Sequence, residues 1–160
     1  MRILLKLVLD CEPDAAWAAL RSPREFRSVA RPFATFRPLD PSAFPDVWGD
    51  RPARVAVRAL GFIPVGEEVI DISTRTLERT GGGSVRLVRD SGGGLTGPIA
   101  LVTSWQHTMA VSPAEGGRTL YRDQLTFGAG ILTPLFWPLY WSFWQWRAGR
   151  IRRRARHWRA

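Results

Sequence analysis

Between Gln124 and Trp146 the chain carries no charged side chain, and from Arg147 to the end seven of fourteen residues are arginine. A tryptophan-loaded apolar run closed by a basic block has three physical outcomes. It can span a membrane, serve as a basic nucleic-acid tail, or pack as a helix on the rest of the domain. Sorting the segment by helical face separates them. At about 3.5–3.6 residues per turn, Trp137, Trp141, Trp144, Ala148, Ile151, Ala155 and Trp158 form one stripe. The stripe stays apolar through the arginines, which a helix lying along a sheet requires and a span does not. A second stripe, Leu132, Phe136, Leu139, Phe143 and Trp146, gives way to Arg147, Arg150 and Arg154. Pro134 and Pro138 interrupt the run, and prolines bend or break a helix. Residues up to Phe127 complete the alternation of a preceding strand, so the helix begins near Gly130. That leaves about sixteen apolar residues, short of the roughly twenty needed to span. The segment predicts a packing helix, with a surface-lying contact as the lesser alternative.

Upstream the period is different. "RILLKLVL" at 2–9 suits an opening strand, "DCEPDAAWAALRSP" a short helix with Pro13 in its first turn, and "PREFRSVAR" a second one. "PFATFRPL" returns to strand, and the proline-rich stretch 40–52 reads as a loop. From Ala53 the alternation is β. "GFIPVG" is the expected turn, "GGGSVRLVRDSGGG" a strand bracketed as a hairpin, and two longer strands are joined by "PAEGG". The order is strand, two short helices, about six antiparallel strands and one long helix. It predicts a single α+β domain over 1–160, with the helix laid across the concave face of a curved antiparallel sheet of six to seven strands.

The net charge of +9 is local: the last fourteen residues carry +7. Of 23 basic residues 22 are arginine and the chain has no asparagine, the bias of a GC-rich coding sequence. A uniformly basic face is absent, and nucleic acid is not the expected partner. Cys11 is alone, so no internal disulfide forms. Lys6 interrupts the first apolar run and acids follow it, so that run reads as a strand rather than a signal peptide. Together these predict a cytoplasmic protein, with peripheral membrane contact left open. "GGGLTG" at 92–97 spells a dinucleotide fingerprint but is followed by Pro98 and a β-patterned run, so it is rejected. His107 and His157 are far apart with no cysteine cluster, and neither a metal nor a cofactor is expected.

"SWQHTMAVSPAEGGRTLYRDQLTFGAGILTPLFWPLYWSFWQWRAGRI" resembles the last strands and helix of the START-like (SRPBCC) superfamily, the helix-grip fold of polyketide cyclase- and dehydrase-like proteins. The matching positions are Trp105, His107, Asp123, Gly130 and Arg147. Gly117-Arg118-Thr119 stands where the family has Gly-Thr, and a proline before the final glycine is missing. The resemblance implies the helix-grip fold and a hydrophobic cavity for a lipid, sterol, hormone or polyketide-like molecule; only some members are enzymes.

His107 and Asp123 lie on neighbouring strands joined by a tight connection, and with side chains on one face they form a hydrogen-bonded pair. A structural pair is the leading reading, and a general acid/base at the cavity wall is the alternative. The expected ligand contacts are Leu132, Phe136, Leu139, Tyr140 and Phe143 on the helix, with Trp105, His107 and Tyr121 on the sheet. Other polar residues of the β alternation are Arg58, Asp71, Ser73, Arg75, Arg89, Thr103, Gln106 and Arg122. An arginine among them pointing inward would bind a ligand carboxylate. The reading is a binder, carrier or sequestering protein for a small hydrophobic ligand. A cyclase, aromatase or dehydratase using His107 and Asp123 is the runner-up, and a membrane-surface or partner-binding module comes third. What covers the helix from Leu132 to Trp146 is a ligand, a second subunit in a homodimer, or a membrane surface, in that order.

Overall fold

The computed structural model describes residues 1–39, 44–49, 51–78 and 83–159. Parts of the expected loop 40–52 and of the first glycine triplet lie outside them. Strand β1 (Arg2–Leu9) leads into helices α1 (Pro13–Leu20) and α2 (Pro23–Ala30), each with its proline in the first turn. Strands β2 (Ala34–Pro38), β3 (Ala53–Ala59), β4 (Ile63–Ile70), β5 (Ile72–Glu78), β6 (Ser84–Asp90) and the short β7 (Gly93–Gly94) follow. A turn of 3-10 helix at Pro98–Leu101 precedes the long hairpin of β8 (Ser104–Ala114) and β9 (Arg118–Gly128), and α3 (Thr133–Ala155) closes the fold.

The expected single sheet is divided in two. One has the order β1-β9-β8-β6-β5 and the other β2-β3-β4-β7, all antiparallel. The chain changes sheet at Asp71, between β4 and β5, so one continuous alternating run serves both. The second glycine triplet is not a hairpin turn. It carries the chain back to the other sheet, where Gly93 and Gly94 pair with Val69 and Glu68. A Cβ on Gly92 would stand 1.8 Å from the Val69 carbonyl oxygen, so only glycine allows that approach. The turn expected at "GFIPVG" is shorter, since β4 already begins at Ile63.

Helix α3 grips the larger sheet along two apolar clusters. Its C-terminal half buries Ala148, Ile151 and Ala155 against Leu7, Leu9, Val88 and Val111. Its N-terminal half sets Trp144, Phe136 and Tyr140 over Ile3, Leu125 and Phe127. The predicted stripe therefore holds except at Trp141, which is 44% exposed and stacks on Trp137 at 6.2 Å, while Trp137 itself packs against the second cluster. At 3.6 residues per turn Trp137 lies about 20° from Trp144 and stays on the face, whereas Trp141 lies about 60° away at its edge. Pro134 sits in the first turn, and α3 runs through Pro138 as one element. Among the described residues no helix is long and apolar enough to cross a membrane.

Helix α2 is stapled to α3. Glu25 accepts from Arg154 Nε at 2.8 Å and Nη2 at 2.6 Å and from Trp158 Nε1 at 3.0 Å, while Arg150 donates to the Ser28 carbonyl at 2.9 Å. Trp146 Nε1 donates to the Arg31 carbonyl at 3.0 Å. Two arginines of the basic block, Arg150 and Arg154, are thus spent on α2.

Candidate functional site: a cavity between the second sheet and the N-terminal half of α3

A third cluster, built on Trp48, Val55, Val57 and Ile70, forms the core of the smaller sheet. That sheet and α3 do not meet. Between them lies a cavity of about 430 Å³, the size of sites that take small organic ligands. The helix contributes Phe136, Leu139, Tyr140, Phe143 and Trp144, the smaller sheet Val57, Ala59, Val65 and Val69, and β8 Trp105 and His107. Phe33 and Leu139 line the cavity while 37% and 65% exposed, which marks them as its mouth. The wall is mostly apolar and aromatic: Tyr140 lies 4.7 Å from Phe127 and 5.6 Å from Trp105, ring centre to ring centre.

Behind the wall stands a buried polar network centred on Asp123. In register His107 opposes Leu125 and Asp123 opposes Met109, so the two are diagonal neighbours on one face. His107 Nε2 lies 2.9 Å from Asp123 Oδ1, a hydrogen bond when that nitrogen carries the proton. Trp144 Nε1 donates to Oδ1 at 2.9 Å, Tyr121 donates its hydroxyl to Oδ2 at 2.6 Å, and Arg147 Nη1 forms an ion pair with Oδ2. Arg147 also reaches Met109 Sδ at 3.0 Å and is 5% exposed. Burial alone would raise the Asp123 carboxyl. The charge of Arg147, helped by His107 and the Tyr121 hydroxyl, outweighs it and holds the carboxyl well below the usual carboxylate range. Burial, then the Asp123 charge, pushes the Tyr121 phenol well up. The network joins β8, β9 and α3 through one ionised carboxylate with every visible lone pair in use. Of its members His107, Trp144 and Arg147 reach the cavity, whereas Asp123 and Tyr121 do not.

The cavity has a second polar group of opposite character. Glu68 lines it and makes no hydrogen bond or ion pair to any described residue. Burial, then the charge of Asp90, pushes its carboxyl up to about 8. Asp90 lines the same cavity but is well served: Oδ1 accepts from the Asp71 and Gly92 backbone N–H groups at 3.2 and 3.1 Å, and Oδ2 from Trp105 Nε1 at 3.3 Å. Tyr140 also faces the cavity with no partner for its hydroxyl among the described residues. Burial, then the Glu68 charge, pushes its phenol up to about 12. Two carboxyls in one cavity thus differ in their partners among the described residues, Asp90 with three donors and Glu68 with none.

The inward turn of Glu68 comes from a bulge. The register between β3 and β4 shifts at Val57/Arg58, leaving Val65 as an extra residue. Strict alternation from Val65 would send Glu67 inward; with the extra residue Glu68 goes inward, and Glu67 faces out to Arg54 at 3.2 Å. Gly66 permits the kink at φ +129°, and a Cβ there would lie 1.9 Å from the Thr96 carbonyl oxygen.

Of the expected ligand contacts, Trp105, His107, Phe136, Leu139, Tyr140 and Phe143 line the cavity. Tyr121 and Leu132 do not. Tyr121 is wholly buried further along β9, opposite Val111 under the C-terminal half of α3. Leu132 lies just before the first turn of α3, outside the wall. Arg58, Arg75, Arg89 and Arg122 are exposed, so none of these four points inward. Arg147, placed by its stripe on the basic face, is buried instead. Glu68 and Asp90 were not among the expected site residues. The one signal for Glu68 was the pair "EE" in an alternating strand, since adjacent side chains face opposite ways. Among the described residues no group of histidine, cysteine and acids could hold a metal ion.

No family model matches the sequence, and no curated protein does. Solved structures do match in shape. A protein of Chromobacterium violaceum is similar with a TM-score of 0.61 at 16% identity, over 97% of this chain and 96% of that one. Norcoclaurine synthase from Thalictrum flavum, solved with dopamine and hydroxybenzaldehyde, gives 0.61 at 12% identity, over 100% of this chain and 88% of that one. The KanY protein gives 0.59 at 15%, over 97% of both chains. At these identities the likeness establishes the fold: this chain has the helix-grip fold.

Proposed function

We propose that the protein binds a small hydrophobic ligand in the cavity between its smaller sheet and the N-terminal half of α3. The observation that carries this reading is the cavity itself, about 430 Å³ walled by aromatic and aliphatic side chains with a solvent-open mouth. A well-packed domain leaves few voids larger than a water molecule, and a dry apolar void forfeits dispersion contacts on every side. A ligand restores them, at roughly 25 cal/mol per Å² of apolar area covered. Phe136, Leu139, Tyr140, Phe143, Trp105 and His107 are the proposed contacts. The matching helix-grip structure solved with two small aromatic molecules supports the same use of the fold. Native mass spectrometry of protein purified without detergent tests it: a bound apolar mass, released by mild activation, is expected. A protein that carries none and takes up no added apolar probe contradicts the reading.

A cyclase-type enzyme is the second reading, favoured by His107 standing at the wall with Asp123 behind it. His107→Gln separates the two. It leaves ligand affinity within about twofold if the histidine is structural, and abolishes turnover of a polyketide-like substrate if it is the acid/base.

A further inference from the structure

The ligand-binding reading leaves the chemistry of the ligand open, and the cavity's polar groups narrow it. Most of the wall is hydrocarbon and ring face, and a purely apolar ligand would need nothing more. Yet β4 is bulged, at a glycine no other residue could replace, so that Glu68 rather than Glu67 faces inward. A carboxyl in such a place without a donor or cation is costly to ionise. The titratable or charged groups facing the cavity are Asp90 on β6, His107 on β8, and Tyr140 and Arg147 on α3. Arg147 is committed to Asp123, and His107 turns its Nε2 to the same carboxylate. Asp90 is itself negative and Tyr140 is neutral. Among the described residues nothing in the cavity answers a charge on Glu68.

We propose that the answering charge comes with the ligand: the cavity takes an apolar amine, its ammonium seated between Glu68 and Asp90 and its body against Phe136, Tyr140, Phe143 and Trp144. This rests on the ligand-binding reading above and gives it a chemical class. An ammonium supplies the donors that Glu68 lacks and meets the remaining lone pairs of Asp90. It also lies among ring faces that attract cations, with the Tyr140 hydroxyl free to accept from it. A carboxylic acid or phosphate would find no uncommitted cation among the described residues of the wall, since Arg147 is paired with Asp123. A neutral ligand would leave Glu68 protonated and could take at most the one hydrogen bond that its O–H donates.

The proton balance is explicit. With its carboxyl lifted to about 8 in the empty cavity, Glu68 holds a proton at neutral pH. The ammonium displaces that proton, which leaves for solvent, and one ion pair forms. Amine affinity therefore falls by up to about tenfold for each pH unit below 8, with proton uptake by the buffer.

The test compares phenylbutylamine with phenylbutanol, which differ only in the terminal group, by isothermal titration at about pH 6 and about pH 8. The expected result is amine binding at least about tenfold tighter than alcohol binding near pH 8, an advantage that shrinks toward pH 6. Glu68→Gln should keep alcohol binding and bring the amine down to it, and Glu67→Gln on the outer face should change neither. An amine that binds no better than the alcohol near pH 8 overturns the proposal and leaves the ligand-binding reading standing. So does an amine preference that survives Glu68→Gln. If the wild-type protein binds neither compound, both fall.

Discussion

The unpartnered position of Glu68 has a consequence for stability that needs no ligand. In the unfolded chain its carboxyl titrates near its ordinary 4.5, while in the fold burial and Asp90 move it to about 8. Between those values the native protein holds a proton that the unfolded chain has released. Stability therefore falls as pH rises through the window. At roughly 1.4 kcal/mol per pH unit the whole window is worth about 5 kcal/mol at most. The cavity gives the side chain some contact with water, which reduces the expected figure to about 2–4 kcal/mol. Glu68→Gln keeps the shape and removes the titration. In the difference between variant and wild type every other titrating group cancels, including Asp123, whose transition lies in strong acid. Urea unfolding at about pH 5 and pH 8 reads the effect. With a slope of about 2 kcal/mol per molar, the midpoint of the variant should gain about 1–2 M on the wild type between the two conditions. A gap that stays constant with pH would refute the account of Glu68 as a half-buried, unanswered carboxyl.

Three further outcomes follow from the same geometry. Asp123→Ala leaves Arg147 buried without its counter-charge and strips an acceptor from Tyr121, Trp144 and His107. The expected loss is about 3–5 kcal/mol, or roughly 10–20 °C in melting temperature, read by calorimetry; an unchanged melting temperature would mean that the network does not hold α3 to the sheet. Gly66→Ala drives a methyl group into the Thr96 carbonyl at a backbone angle few side chains adopt. It should cost more than about 2 kcal/mol in urea unfolding, and a neutral result would remove the bulge from the argument. Ile131, Leu135 and Leu139 are 95%, 67% and 65% exposed beside the cavity mouth. If this apron is a peripheral membrane contact, a sedimentation assay with anionic vesicles shows binding that Leu135→Ser with Leu139→Ser abolishes; wild-type protein that stays in the supernatant removes that reading.

Much of the fold was legible because periodicity is a local property. The switch from alternation to a helical period near Gly130, the prolines opening α1 and α2, and the apolar stripe from Trp144 onward each follow from residues close in sequence. The division into two sheets was not legible, because "EEVIDISTRT" contains no glycine or proline to mark a break and the change of sheet at Asp71 is set by tertiary pairing. The stripe failed only at Trp141, which on a 3.6-residue turn sits at the edge of the face. At the site, His107 and Asp123 were legible as a pair because a short connection fixes their register. Glu68 was hidden by a single extra residue at Val65, which inverts the facing of everything after it; that is the sensitivity of a period-two pattern to a one-residue slip. Arg147 looked like the first of a basic face, and only the network around Asp123 shows it to be the buried counter-charge of the core.

The central claim is that the space beside α3 is a binding cavity. Ala59 lines it from β3, where a larger side chain would extend into the cavity. Titrating the wild type and Ala59→Phe with the neutral fluorophore prodan, and reading energy transfer from the wall tryptophans Trp105 and Trp144, tests the claim most directly. Saturable one-to-one binding to the wild type, weakened at least about tenfold in a variant that remains folded, is the predicted result. Binding that is absent in the wild type, or equal in the two proteins, would contradict it.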